Sequence, residues 1–281
     1  DPNRVKFLTT QEVDDELEAS KQLLHELYET LKQDKREPMG MDNLIVGFKC
    51  GGSDGLSGIT ANPLVGRFCD ALTAMGGTGI LTEVPEMFGA EQLLMNRAAN
   101  ETVYTQTVSL INDFKQYFVK HDQVVYENPS PGNKAGGIST LEDKSLGCIQ
   151  KGGQAIVTDV LSYGMQVRTR GLNLLSGPGN DIVSTTALTA CGSHIILFTT
   201  GRGTPLGAPV PTVKISSNSP LAEKKANWID FDAGRLLKED NDTVLSDFLS
   251  LIQAVASGEM QTKNEENGYA EISLFKDGVI L

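Results

Sequence analysis

From Leu44 to Phe48 apolar and small residues run without interruption, and short runs like it recur at 79–84, 155–160, 195–199 and 213–216. Runs this short and continuous mark strands covered on both faces, as in parallel sheets. Between them apolar residues return every three or four positions over 62–75, 85–98, 101–121, 140–151, 181–190 and 242–257, the spacing of a buried helix face. This alternation predicts an α/β domain: a mostly parallel sheet with helices on both faces, a Rossmann-like three-layer arrangement. Ahead of it, Leu17, Leu23, Leu24, Leu27, Tyr28 and Leu31 predict one amphipathic helix from about Thr10 to Asp34, broken by Pro38 and Gly40. The expected division is a helical lead-in from a preceding domain, residues 1–40, and an α/β domain, residues 41–281.

Composition narrows the function. The 281 residues carry 24 Lys and Arg against 36 Asp and Glu, a net charge of −12, which repels phosphate backbones and argues against nucleic-acid binding. No apolar run approaches membrane-spanning length, and no signal-peptide pattern is present. The four cysteines, Cys50, Cys69, Cys148 and Cys191, form no CxxC pair and suit a reducing cytoplasm. Cys69, Cys148 and Cys191 read as small buried hydrophobes. Cys50 differs, because it closes a strand and opens a glycine-rich turn. The first residue is Asp1 rather than Met, and the expectation is a processed chain or a piece of a longer one.

In open parallel sheets ligands bind beyond the carboxyl ends of the strands. The chemistry-rich turns fall there: KCGGSDGLSGITANP (Lys49–Pro63), EVPE (Glu83–Glu86) and TTGRGTPLGAP (Thr199–Pro209). A fourth segment, ENPSPGNKAGG (Glu127–Gly137), is too rich in Gly, Pro and Asn to be regular, yet carries Lys134. No P-loop or G-x-S-x-G elbow is present. Gly201-Arg202-Gly203 begins like a dinucleotide fingerprint, but Pro205, Pro209 and Pro211 forbid the helix that would receive a pyrophosphate. Only His25, His121 and His194 occur, too few and too scattered for a His-rich zinc site.

These segments together resemble the altronate and galactarate dehydratases. So do LTEVPEMFGAEQLL (Leu81–Leu94), NDFKQYF (Asn112–Phe118), GGISTLEDKSLGC (Gly136–Cys148) and WIDFDAG (Trp228–Gly234), all in family order. The wording of VPEMFGAEQLL and LEDKSLGC is similar to the altronate branch. The galactarate branch and the sulfolactate sulfo-lyase large subunit are the competing assignments. A non-catalytic docking domain of a larger enzyme is the rival from another class. The resemblance implies a metal-dependent hydro-lyase of hexuronate catabolism that turns D-altronate into 2-dehydro-3-deoxy-D-gluconate. It implies Fe2+, with Mn2+ as substitute and an iron–sulfur cluster left open. It also implies that this is the C-terminal part of a homo-oligomeric enzyme. Its N-terminal domains would supply further cysteine ligands, and the fragment alone would be inactive.

That chemistry assigns candidate roles. Cys50 is a thiolate ligand for iron, and Glu83 or Glu86 a carboxylate ligand or a helix N-terminal charge, with Glu83 the metal choice. Lys134 is a carboxylate-holding ammonium or a base, against the bland alternative of a solvated loop lysine. Asp54 is a base or, with Ser53, an acceptor for substrate hydroxyls. Arg202 is a bidentate carboxylate clamp or a loop ion pair. Gly52, Ser53, Asn62, Ser130, Asn133, Thr200 and Thr204 complete the expected substrate contacts, with Asn62 equally readable as a helix cap.

Overall fold

The computed structural model describes residues 2–280 and divides into two compact units, Asp1–Gly40 and Met41–Leu281. The smaller unit is built on α1 (Glu16–Leu31), where Asp15 caps the start by accepting from the Leu17 and Glu18 N–H groups. The cap sets the beginning later than apolar spacing alone suggested; Thr10–Glu12 forms a separate 3-10 turn. Arg4–Asp34 and Lys6–Glu26 ion pairs tie the flanking chain together.

Among its described residues the larger unit holds seven strands: β1 (Ile45–Cys50), β2 (Thr78–Leu81), β3 (Val157–Leu161), β4 (Gly171–Leu175), β5 (Ile195–Thr200), β6 (Thr212–Ser216) and β7 (Phe231–Asp232). All pairings are parallel and the order is β3-β4-β2-β1-β5-β6-β7. The α/β expectation with a parallel sheet is met. Alternate residues of each strand enter opposite cores. Val46 and Phe48 of β1 join Leu81, Ile195 and Leu197 on one face, under α2 (Ala61–Ala74), α4 (Glu101–Lys120) and α9 (Asn241–Ser257). Ile80, Leu175 and Ile196 point the other way, against Ala187, Leu188 and Cys191 of α7 (Asp181–Cys191). Phe68 of α2 meets Phe248 of α9 edge-on at 5.8 Å, and both are fully buried. Each such ring stabilises the fold by about 1.5–3 kcal/mol.

From β1 the chain passes to β2 on one side, and later to β5 on the other. This reversal opens a crevice beyond the ends of β1 and β5, the usual ligand position in such sheets. The Gly51 N–H bonds Thr199 O at 3.0 Å and the Gly201 N–H bonds Gly52 O at 3.1 Å, so the two glycine-rich turns run side by side.

Several local expectations change. β2 ends at Leu81 because Glu83 takes a left-handed conformation, φ 68°. The helix expected over 85–98 is instead a 3-10 turn, Val84–Met87, and α3 (Glu91–Met95), separated at Gly89. The Glu127–Gly137 segment is not wholly irregular. It holds the short α5 (Pro131–Ala135), where Ser130 and Asn133 cap each other reciprocally. Strands β4 and β7 were not anticipated. β4 carries a buried Asn173, whose amide NH2 donates to Thr169 O and Gly171 O.

Candidate functional site

The end of β1 presents Lys49 and Cys50, both buried. The left-handed Glu83 turns its side chain back toward them. A non-glycine residue rarely holds this conformation without compensation elsewhere. Here the compensation is ionic: Glu83 pairs with Lys49 through one oxygen. The other accepts from Lys151 Nζ and the Cys50 N–H, each at 2.9 Å. Lys49 also donates to Cys50 O and Gly179 O and pairs with Asp181 at 3.0 Å. Burial alone would discharge these lysines. Glu83 and Asp181 outweigh it for Lys49, and Cys50 and Glu83 for Lys151, so both are held above the ordinary lysine range. Burial likewise works against charge on Glu83, but Lys151 and Lys49 prevail and its carboxyl is depressed.

Beside this network lie the thiols. Helix α6 (Leu141–Ile149) carries Lys144 and Cys148 one turn apart on one face. Cys148 Sγ sits 3.4 Å from Cys50 Sγ and 3.3 Å from Glu86 Oε2. Lys144 Nζ donates to Glu86 Oε1 at 2.7 Å and to Asn128 Oδ1 at 2.9 Å. Glu86 offsets the burial of Lys144 and keeps it firmly protonated. A hydrogen bond from Cys148 to Cys50 favours the Cys50 thiolate, against the pull of burial and Glu83, and the same bond pushes the Cys148 thiol up.

Among the described residues, Cys50, Glu86 and Cys148 are the group placed to share a metal ion, their ligand atoms all within 4.8 Å of one another. Two sulfurs on one tetrahedral ion, with bonds of about 2.3 Å, would stand about 3.8 Å apart. The observed 3.4 Å is close to that. Three protein donors with a position left open is an arrangement that catalytic metal sites commonly use.

A cavity of about 420 Å³ opens onto this group. That is within the range of small-ligand pockets, roughly 300–1,000 Å³. Cys50, Glu86, Lys144, Asp181 and Arg202 line it, together with Ser53, Ser130 and Asn133. Arg202 has no hydrogen-bond or ion-pair partner among the described residues. Its guanidinium lies over Gly132 where any Cβ would collide with Nη1, so the glycine makes room for it.

Of the residues singled out from sequence, Cys50, Gly52, Ser53, Glu86, Ser130, Asn133 and Arg202 share this cavity. The others do not line it. Lys134 is exposed on α5. Asp54 spends one oxygen on Ser57 and Ser217 and the other on Asn218, work that fixes the turn. Asn62 bonds Gly147 O and accepts from the Thr199 hydroxyl. The Thr200 hydroxyl accepts from the Gly203 N–H, and Thr204 O accepts from Lys214. Glu83 is saturated by lysines, and Glu86, three residues on, takes the position facing the thiols. Lys49, Lys144, Cys148, Lys151 and Asp181 were missed. The Lys144/Cys148 spacing was the one available signal, since residues four apart share a helix face.

Residues 41–280 match the family model for the C-terminal part of D-galactarate/altronate dehydratase. The chain is 60% identical over 280 residues to altronate dehydratase of Bacillus subtilis, covering 99% of this chain and 56% of that protein. It is 58% identical over 282 residues to altronate dehydratase of Escherichia coli, covering 100% of this chain and 57% of that protein. Galactarate dehydratase (L-threo-forming) of Escherichia coli is 37% identical over 241 residues, 85% of this chain and 46% of that protein. The chain therefore belongs to the D-galactarate/altronate dehydratase family, and it spans about half the length of these curated relatives.

Proposed function

We propose that this chain carries a metal- and substrate-binding site of a sugar-acid hydro-lyase that converts D-altronate to 2-dehydro-3-deoxy-D-gluconate and water in hexuronate breakdown. The supporting observation is the convergence on one cavity of Cys50 and Glu86, two members of the Cys50–Glu86–Cys148 group, and the guanidinium of Arg202, unpartnered among the described residues. Altronate is preferred to galactarate because identity to the altronate enzymes is the higher. Residues 41–281 are read as the catalytic domain. The length present only in the relatives is read as its partner domains, within a cytoplasmic homo-oligomer.

Cys50, Glu86 and Cys148 would hold the ion. Two sulfurs suit Fe2+ better than Mn2+. When bound, a divalent ion supplies Lewis acidity toward a substrate oxygen. The difficulty of the reaction is the C2 proton: its carbon already bears a carboxylate, so losing the proton creates a dianionic enediolate. Fixed positive charge offsets this. Arg202 presents a planar fork suited to bidentate capture of the C1 carboxylate. Lys144, kept charged by Glu86, adds a second cation at the cavity wall. Ser53, Ser130 and Asn133 offer polar contacts for the sugar hydroxyls.

The test uses the full-length protein prepared without oxygen, assayed on altronate and galactarate with metal content measured in parallel. Turnover of altronate, with metal lost from Cys148→Ser and Glu86→Gln, is the expected result. Failure to turn over either acid, or both variants retaining full metal content and rate, overturns the reading.

A further inference from the structure

The proposed reaction needs a proton acceptor, and three carboxylates line the cavity: Glu86, Glu127 and Asp181. Glu86 is committed to Lys144 and the thiols. Glu127 is exposed. Asp181 stands at the first residue of the eleven-residue α7, its side chain about one-third exposed. Its Oδ1 lies 3.0 Å from Lys49 Nζ. Its Oδ2 has no hydrogen-bond partner among the described residues.

The fold goes to some length to hold this carboxylate. Lys49 is fully buried and is itself fixed by Glu83, Cys50 O and Gly179 O, so its ammonium cannot swing away. Gly51 lies under the carboxylate, where a Cβ would stand 2.6 Å from Oδ2 and 2.9 Å from Oδ1. Asp181 is thus clamped through one oxygen and free at the other. A rigidly oriented carboxylate with one open oxygen is what proton abstraction requires.

Resting on the function proposed above, we infer that Asp181 is the base of the dehydration. The C2–H bond breaks and its proton passes to Oδ2. The electron pair passes into the carboxylate as the enediolate, then returns to form the C2–C3 double bond as the C3–O bond breaks. The departing hydroxide gains a proton from solvent and leaves as water. The enol then gains a proton at C3 and loses one from O2, giving the 2-keto acid.

The experiment compares wild type, Asp181→Asn and Asp181→Glu in the full-length metal-loaded enzyme. An amide can still accept from Lys49, so the Asn variant should keep its fold. Its kcat on altronate is expected to fall at least about 100-fold, with KM changed less than about threefold. Metal content and melting temperature should be retained, and the slow step should show a larger isotope effect with C2-deuterated altronate. The Glu variant should recover part of the rate. An Asn variant with kcat within about fivefold of wild type overturns the inference. So does one whose lost rate tracks lost metal or lost folding and returns with added iron, because Asp181 would then be only a support for Lys49. Wild-type enzyme inactive on every sugar acid would remove the parent reading, and this one with it.

Discussion

Replacing Glu83 by Gln in the 281-residue chain should cost about as much stability as any single change in the larger unit. The carboxylate is 1% exposed and is shared by Lys49 and Lys151, which are 0% and 1% exposed. Breaking a buried pair from one side costs about 3–5 kcal/mol, because the partner's charge stays buried. Here two ammoniums lose their common counterion, while Asp181 still compensates Lys49, so about 4 kcal/mol is expected. For a unit of this size that lowers the melting temperature by roughly 8–16 °C. The pH dependence has a definite sign. Glu83 is depressed in the folded state, so its stabilisation is fully present above the unfolded carboxyl value of about 4.3 and is lost as pH falls through the lower folded value. The gap between wild type and Glu83→Gln should therefore narrow in acid. Adding Lys151→Met to Glu83→Gln removes one orphaned charge and should restore about 1–3 kcal/mol. Urea unfolding followed by circular dichroism measures all of this. A loss below about 1 kcal/mol at pH 7, or no rescue by Lys151→Met, would refute the claim that Glu83 neutralises buried lysines.

Three further changes probe the same region. Arg202→Lys in the full-length enzyme should lower kcat/KM at least about tenfold, since a point charge cannot replace a planar fork; unchanged kcat and KM would remove the clamp. Gly132→Ala adds a Cβ where the flexible end of Arg202 lies, so KM should rise about three- to tenfold while melting moves by no more than about 2 °C; an unaltered KM would mean the guanidinium need not rest there. Lys214 is fully buried and donates to Thr204 O, and burial brings it down to about 8. The folded state then binds fewer protons than the unfolded between about pH 8 and 10.4, so wild-type stability should climb across that window by up to about 3 kcal/mol relative to Lys214→Met. Parallel stability curves for the two proteins would contradict it.

How far the sequence reached depends on what each feature needed. Strands β1, β5 and β6 were legible because each is buried on both faces and so reads as an apolar run. β4 was not, since the polar Asn173 interrupts its apolar run and the backbone acceptors of its amide NH2 exist only in the fold. The glycine turn at Cys50 announced the site through its unusual composition, and the sheet's reversal between β1 and β5 then brought Arg202 to it. The side chains behind the turn were silent for another reason. A lysine at the end of a strand or in a turn after a helix looks solvent-facing until a carboxylate is known to lie beneath it, so Lys49 and Lys151 gave no signal. Cys148 looked like a small hydrophobe because its partner is 98 residues away. The left-handed turn at Glu83 decides the exchange of roles between the two glutamates. It directs Glu83 inward to the lysines and leaves Glu86, three residues further on the 3-10 turn, facing Cys148. Both were readable as ligands in one dimension. Only the backbone angle at Glu83 separates the residue that neutralises charge from the one that can bind an ion.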